Sequence, residues 1–188
     1  MAKNSKENKL NSNVAWIIII TTISFLISTG SGYLFSSVME DATIWVSVIL
    51  LLIIIIINII FDMIGVAVTA TDVTPFVSMS SKKIRGARTA MWLVKNADKV
   101  SSFCNDVIGD ICGIVSGFSG GIVTTHIIVA YGFSLYSAVI TAVIGGVIAA
   151  LTIGGKAMGK SLAIKQSRQM TFIAAVIMEF FSFKKKEK

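Results

Sequence analysis

IWVSVILLLIIIIINIIFDMIGVAVTA, residues 44–70, decides the fold. Val48 to Ile57 is an unbroken run of ten apolar residues, and then Asn58 and Asp62 interrupt it. The stretch exceeds the roughly 20 residues that a helix needs to cross a hydrocarbon layer of about 30 Å. A carboxylate well inside such a segment costs about 2.5–3.5 kcal/mol on insertion scales, so it reads as functional before it reads as accidental.

The rest of the chain has the same solvent. Hydrophobic residues make up 54% of 188 positions, with a single proline, and the mean hydropathy is +0.81. A soluble domain has too little interior for this composition. Further apolar runs extend from Val14 to Leu34, from about Phe103 to Ala130 and from Ser134 to about Ile153. The expected fold class is an all-α integral membrane protein with four transmembrane helices and amphipathic juxtamembrane helices. Its parts are a basic N-terminus (1–13), a first span (14–35), a membrane domain (44–170) and an interfacial helix end with a basic tail (171–188).

Charge orients these spans. All 17 Lys and Arg lie in three segments: Lys3 to Lys9, Lys82 to Lys99, and Lys156 to Lys188. The loops around Glu40-Asp41 and Tyr131-Gly132 hold none. Positive residues stay on the cytoplasmic side, so both termini and the central basic segment belong there. The net charge of +7 then describes one membrane face and its anionic lipids, with Lys82, Lys83, Arg85, Lys184, Lys185 and Lys186 at the surface; it does not point to nucleic acid. An Ile- and Lys-rich composition suggests an AT-rich bacterial genome, hence the inner cell membrane. The start also resembles a signal peptide, but the run is long and continues through Leu34, so an uncleaved anchor is the reading adopted. Cys104 and Cys112 fall about 12 Å apart on one helix, too far for a disulfide.

Thr74-Pro75 reads as a helix start with Thr as N-cap. Val77, Ile84, Ala87, Met91 and Val94 then continue one apolar face, predicting a single amphipathic helix over 75–97 along the inner leaflet. Lys160 to Phe183 reads as a second interfacial helix, because Met170 to Ile177 is too short to cross.

Polar residues inside the spans mark the candidate site. Asn58, Asp62, Gly65 and Thr69 form one stripe on the second span. Asp106 and Asp110 are four apart on the third, continued by Gly113 and Gly117. Asp62 and Asp110 each lie about 10–12 Å from the cytoplasmic edge, so antiparallel neighbours would put both carboxylates at one level. An oxygen-rich set of Asp62, Asp110, Asn58, Asp106 and Thr69 suits a hard cation such as Mg²⁺. The competing reading is that these acids tie helices together. His126 reads as interfacial, having no ionisable companion. Ala142, Gly146, Ala150 and Gly154 recur every four residues, a seam for close helix approach within the bundle or between two protomers. No nucleophile–base pair or nucleotide loop appears, so an enzyme is not expected.

These residues resemble the transmembrane domain of the CorB/CorC and cyclin-M family, linked to magnesium and cobalt transport. The family's FSGSETALTS and RAKLALKLLENPDRL are matched without a gap by FDMIGVAVTA and GARTAMWLVKNADKV. Phe61, Ala67, Thr69, Ala87, Ala90, Leu93, Asn96 and Asp98 coincide. The closing motif GEILPKSLA resembles residues 155–163, retaining Gly155, Lys160, Ser161, Leu162 and Ala163. The resemblance covers Ile44 to about Met170. It implies a homodimer that handles Mg²⁺ or a similar divalent cation. Asp62 stands at the family's cation-liganding serine, Gly65 at its glutamate, Lys156 at the closing glutamate and Gly159 at the proline. The family's Gly-Asn has its nearest counterpart in Gly109-Asp110, shifted by two residues. The CBS and CorC-type domains are absent from the 188 residues, which implies a separate cytoplasmic CBS-domain partner. The alternatives are a non-transporting membrane subunit or regulator that has lost the glutamate, and a holin-like pore former.

The topology makes a direct prediction. Reporters fused after residue 12, within Lys82–Lys99 and at the C-terminus should all report cytoplasm; an external signal at the C-terminus removes the four-span arrangement.

Overall fold

The second span is the axis on which everything else leans. In the computed structural model, which describes residues 2–40, 42–132 and 134–183, it forms α2 (Ile44–Thr69). Its buried positions include Ser47, Leu51, Ile54, Ile55, Asn58, Asp62, Gly65 and Val68, a stripe at helical spacing. Leu52, Ile53, Ile56, Ile57 and Ile60 on the other side are exposed, as a lipid-facing surface should be.

Before α2 comes α1 (Ala2–Glu40), which touches α6. After it come two short helices, α3 (Thr74–Ser81) and α4 (Ala87–Lys95). Next, α5 (Ala97–Ser102) passes through a wide π turn at Phe103–Ile108 into α6 (Gly109–Tyr131). A 3₁₀ turn at Ser134–Tyr136 leads to α7 (Ser137–Lys165), and α8 (Ser167–Phe183) follows. No strand occurs among the described residues. Four helical segments are long and apolar enough to cross a membrane: Ile17–Phe35, Ile44–Thr69, Ala97–Tyr131 and Ser137–Lys165. Cys104 and Cys112 are free thiols.

α6 and α7 pack on α2 along its length, while α4, α5 and α8 gather at its C-terminal end. There Val68, Phe76, Ala90, Leu93 and Ala175 form a small core. The Thr71 hydroxyl donates to the Ala67 carbonyl at 2.6 Å, which leaves its oxygen to accept from the Thr171 hydroxyl at 3.1 Å. This bond ties the end of α2 to α8 across 100 residues of chain.

Here the structure corrects the sequence reading. The expected helix 75–97 is two helices with a turn at residues 82–86, where Gly86 has φ of +85°. That left-handed conformation favours glycine. A Cβ at Gly86 would also lie 2.6 Å from the Val176 side chain of α8. The buried face carries Phe76, Ala87, Ala90 and Leu93, whereas Val77 and Ile84 are exposed. The N-cap of α3 is Val73, which makes no side-chain capping bond, and Thr74 is already helical; Asp72, just before the cap, accepts from the Thr74 backbone N–H at 3.3 Å and from its hydroxyl. The third span starts at Ala97 instead of Phe103. Lys82, Lys83 and Arg85 are exposed in the α3–α4 turn, with Arg85 3.9 Å from Glu179 of α8. Residue 170 lies inside α8. Lys184, Lys185 and Lys186 lie outside the described residues.

The second interfacial helix is also shorter than expected. α7 runs unbroken to Lys165, so Lys160 belongs to the spanning helix. α8 buries Thr171 and Ala175 and leaves Ile173, Ile177 and Phe180 exposed, which suits a helix seated between the bundle and lipid headgroups.

Phe76 is fully enclosed and links α3 to the α4–α8 core. Phe76→Ala should therefore destabilise the protein by about 3–5 kcal/mol. Trp92→Ala, at a position 53% exposed, should change it by less than about 1 kcal/mol. Denaturant unfolding in detergent measures both.

Candidate functional site

Three helices bring polar side chains to one buried centre. From α2 come Asn58, 2% exposed, and Asp62, 6% exposed. The π turn before α6 supplies Asn105, and α7 supplies Lys156. The Lys156 ammonium lies 3.8 Å from Asp62 Oδ1. Among the described residues the second Asp62 oxygen has no hydrogen-bond partner, nor have the amide oxygens of Asn58 and Asn105. The Asn105 amide nitrogen donates to the Ser101 hydroxyl at 3.3 Å.

Glycine makes this convergence sterically feasible. A Cβ at Gly65 would collide with the Asn105 amide, which occupies that space. One at Gly109 would stand 3.7 Å from both Asn58 Oδ1 and Lys156 Nζ. Gly155 and Gly159 let α7 settle onto Ile59 and Met63 of α2; this close contact brings Lys156 within reach of Asp62. The π turn has its own part. A wide turn shifts the faces of the helix that follows and recurs at functional sites; here it carries Asn105 to Gly65 while Gly109 still faces Asn58.

The sequence-predicted site divides on inspection. Asn58, Asp62 and Gly65 share the buried stripe, but Thr69 is exposed and donates its hydroxyl back to Val66 O at 2.9 Å. Asp106 and Asp110 are exposed. They line a cavity of about 820 Å³ between α1 and α6, together with Thr21, Ser24 and Ser28. Equal depth along the helix does not guarantee a shared face. Successive residues turn by about 100°, so Gly109 faces α2 and its neighbour Asp110 does not. The charged neighbour of Asp62 is Lys156, whereas equal depth suggested the Asp110 carboxylate beside it. Among the described residues no group of three or more His, Cys, Asp and Glu could hold a metal ion. His126 is half-buried near the far end of α6.

The small-residue seam is likewise displaced. Ala142, Gly146 and Ala150 are exposed, and a Cβ at Gly146 or Gly154 would meet nothing within 4 Å. The contact of α7 with the bundle runs through Gly155, Gly159 and Ala163, also spaced by four. Of the closing motif, Gly155 packs on Ile59, whereas Lys160 and Ser161 are exposed.

Lys156 and Asn105 are the two members that sequence reasoning missed. In the sequence Lys156 reads as part of the basic segment after the fourth span, although it stands about one turn before Lys160 on α7. Asn105 had a positional signal, since it lies four residues before Gly109 and thus on the same helical face. Chemically, the centre holds one carboxylate, one ammonium and an excess of oxygen acceptors. Its formal charge is zero with Lys156 in place and −1 without it. Comparison of the chain with protein-family models, curated proteins and solved structures finds no match.

Proposed function

We propose that the chain is a multi-pass membrane protein of the CorB/CorC and cyclin-M type, handling Mg²⁺ or a similar divalent cation at the Asn58–Asp62–Asn105–Lys156 centre. One observation carries the reading. Three oxygens from three side chains face a buried interior without partners, and each such group is expensive in hydrocarbon. A hard cation satisfies oxygen acceptors of this kind. Lys156 acts as a tethered stand-in. A divalent ion beside a resident ammonium would leave the centre with excess positive charge, so Lys156 must withdraw when the ion enters. Its side chain is 27% exposed against 8% for Asp62, and its flexible stem allows that movement.

The same ion pair favours a second reading. If the ammonium never leaves, it replaces the ion permanently, and the chain is a non-transporting membrane subunit or regulator. Thermal stability in detergent with and without Mg²⁺ separates the two, because a ligand that binds only the folded state raises its stability. A transport site predicts a Mg²⁺-dependent rise in Tm for the wild type that Asp62→Asn abolishes. A permanent lysine predicts no rise in the wild type. In both cases Lys156→Gln should lose about 3–5 kcal/mol by leaving a buried carboxylate unpaired. Mg²⁺ should restore that loss, while the double variant Asp62→Asn/Lys156→Gln should be stable without it. If Lys156→Gln ignores Mg²⁺, neither reading of a cation position survives.

The assembly proposed with this function is a homodimer in a bacterial inner membrane. The open face of Ala142, Gly146, Ala150 and Gly154 would meet its symmetry mate, and the basic α3–α4 turn would meet anionic lipid or a separate CBS-domain protein. Gly146→Leu should leave folding of one protomer unchanged, because its Cβ meets nothing. Cross-linked dimer in membranes should fall several-fold; undiminished cross-linking excludes this face.

A further inference from the structure

Between α6 and α7 lies a cavity of about 410 Å³. Its inner end is Asn58, and its walls include Gly113, Gly117 and Gly121 on α6 and Thr141, Gly145 and Thr152 on α7. The α6 lining runs from residue 113 to 124, about 16 Å of helix. It leads away from the α3–α4–α8 end of the bundle and reaches to within about one turn of the start of α7.

Glycine creates this space. A Cβ at Gly113, Gly117, Gly121 or Gly145 would meet nothing within 4 Å, unlike one at Gly65, Gly109, Gly155 or Gly159. Gly120, also in the wall, is where Ile148 of α7 packs; the other four glycines leave space that no contact within the chain uses. The hydroxyls around it give a second, independent sign. Thr124, Thr141 and Thr152, which line it, each donate to the carbonyl four residues earlier, at 2.7–2.8 Å. Such back-bonding satisfies a hydroxyl from within its own helix. Ser116 does not do so. It is 4% exposed, lines the cavity and has no partner, and the same holds for Asn58 Oδ1 at the inner end.

Both oxygens lie just beneath the wall of the glycine-lined void, each with less than 1 Å² of its own surface open; a turn of the Ser116 hydroxyl or the Asn58 amide would present them to water, which needs two to four polar partners. The volume holds roughly a dozen molecules at about 30 Å³ each. We propose that the α6–α7 groove is an aqueous inlet through which water and small inorganic cations reach Asn58, and through it the Asp62–Lys156 pair, from the end of the bundle opposite the basic helices. This access route rests on reading the buried centre as the functional site. The inlet puts Asn58 first in the path of an entering cation: its amide oxygen is a neutral acceptor one helical turn from the Asp62 carboxylate.

The test is thiol accessibility of the full chain in lipid nanodiscs, which expose both faces. A thiol reacts as thiolate, which forms in water and not in hydrocarbon. Gly117→Cys and Gly145→Cys place thiols in the groove. Val147→Cys, 53% exposed and outside the groove lining, is the lipid-facing control. Labelling with a trimethylammonium methanethiosulfonate is followed peptide by peptide, so native Cys104 and Cys112 are scored separately. Both groove thiols should react at least tenfold faster than the control. Gly121→Leu, which adds bulk nearer the mouth, should slow Gly117→Cys at least tenfold. With each rate taken relative to that for a free thiol in water, a sulfonate reagent of the opposite charge should be at least tenfold slower than the cationic one.

Groove thiols no faster than Val147→Cys would mean that an acyl chain or a helix of a second copy fills the space, and the inlet is overturned. Equal rates for the two reagents overturn the cation assignment. No Mg²⁺ enters this experiment, so failure of divalent binding leaves its outcome untouched. A wild type that binds Mg²⁺ but shows silent groove thiols refutes the inlet and leaves the site standing.

Discussion

A charge in hydrocarbon must have a partner, and in this protein the partner of Asp62 comes from another helix. Lys156 lies 3.8 Å from Asp62, a polar pairing that favours this arrangement of α7, whereas Ile against Ile gains little over Ile against lipid. With no hydrophobic drive between helices in a membrane, close backbone approach and polar pairing set the arrangement. Both act at the same place here. Gly155 and Gly159 bring α7 down onto Ile59 and Met63, and the lysine adjacent to Gly155 then reaches the carboxylate.

Glycine serves two opposite ends along the same helices. At positions 65, 109, 155 and 159 its missing side chain is filled by a neighbour; at 113, 117, 121 and 145 it is left open. The first set builds the polar centre and the second leaves a path beside it. A sequence presents both as the same small-residue periodicity, because spacing reports which positions share a face and not what lies opposite. For that reason Ala142, Gly146, Ala150 and Gly154 stood out as a seam while the contact inside the chain uses the neighbouring row.

The spans were legible because hydropathy and length are properties of the chain itself. Asn58 and Asp62 were legible as a buried pair for the same reason: a stripe on a lipid-spanning helix depends on one period. The partner of Asp62 was not, because it sits in another helix about 90 residues later, and a lysine near a basic segment reads as an interfacial cation. The turn at residues 82–86 was hidden by a different effect. The apolar spacing of seven, three, four and three survives across the break, so periodicity predicts continuity. Gly86 carried the contrary signal, and only its φ of +85° and the approach of Val176 show why the chain must turn there.

The α3–α4–α8 module connects mechanically with the centre. α2 carries Asp62 and, two turns later, Val68 in the core shared with Phe76, Leu93 and Ala175. Thr71 beyond it bonds to Thr171 of α8. α8 in turn follows α7, the bearer of Lys156, after a break at Gln166. The carboxylate and the ammonium thus sit on two helices whose ends are joined by the same packed module. Moving Lys156 away from Asp62 by tilting α7 would strain the Gln166 junction or shift α8 against Val68 and Phe76. Withdrawing only the lysine side chain disturbs neither, since its four-carbon stem supplies the freedom that the helices lack. For the proposed cation exchange, a side-chain movement would therefore be cheaper than a movement of helices, because the α4–α8 core holds the end of α2 in place.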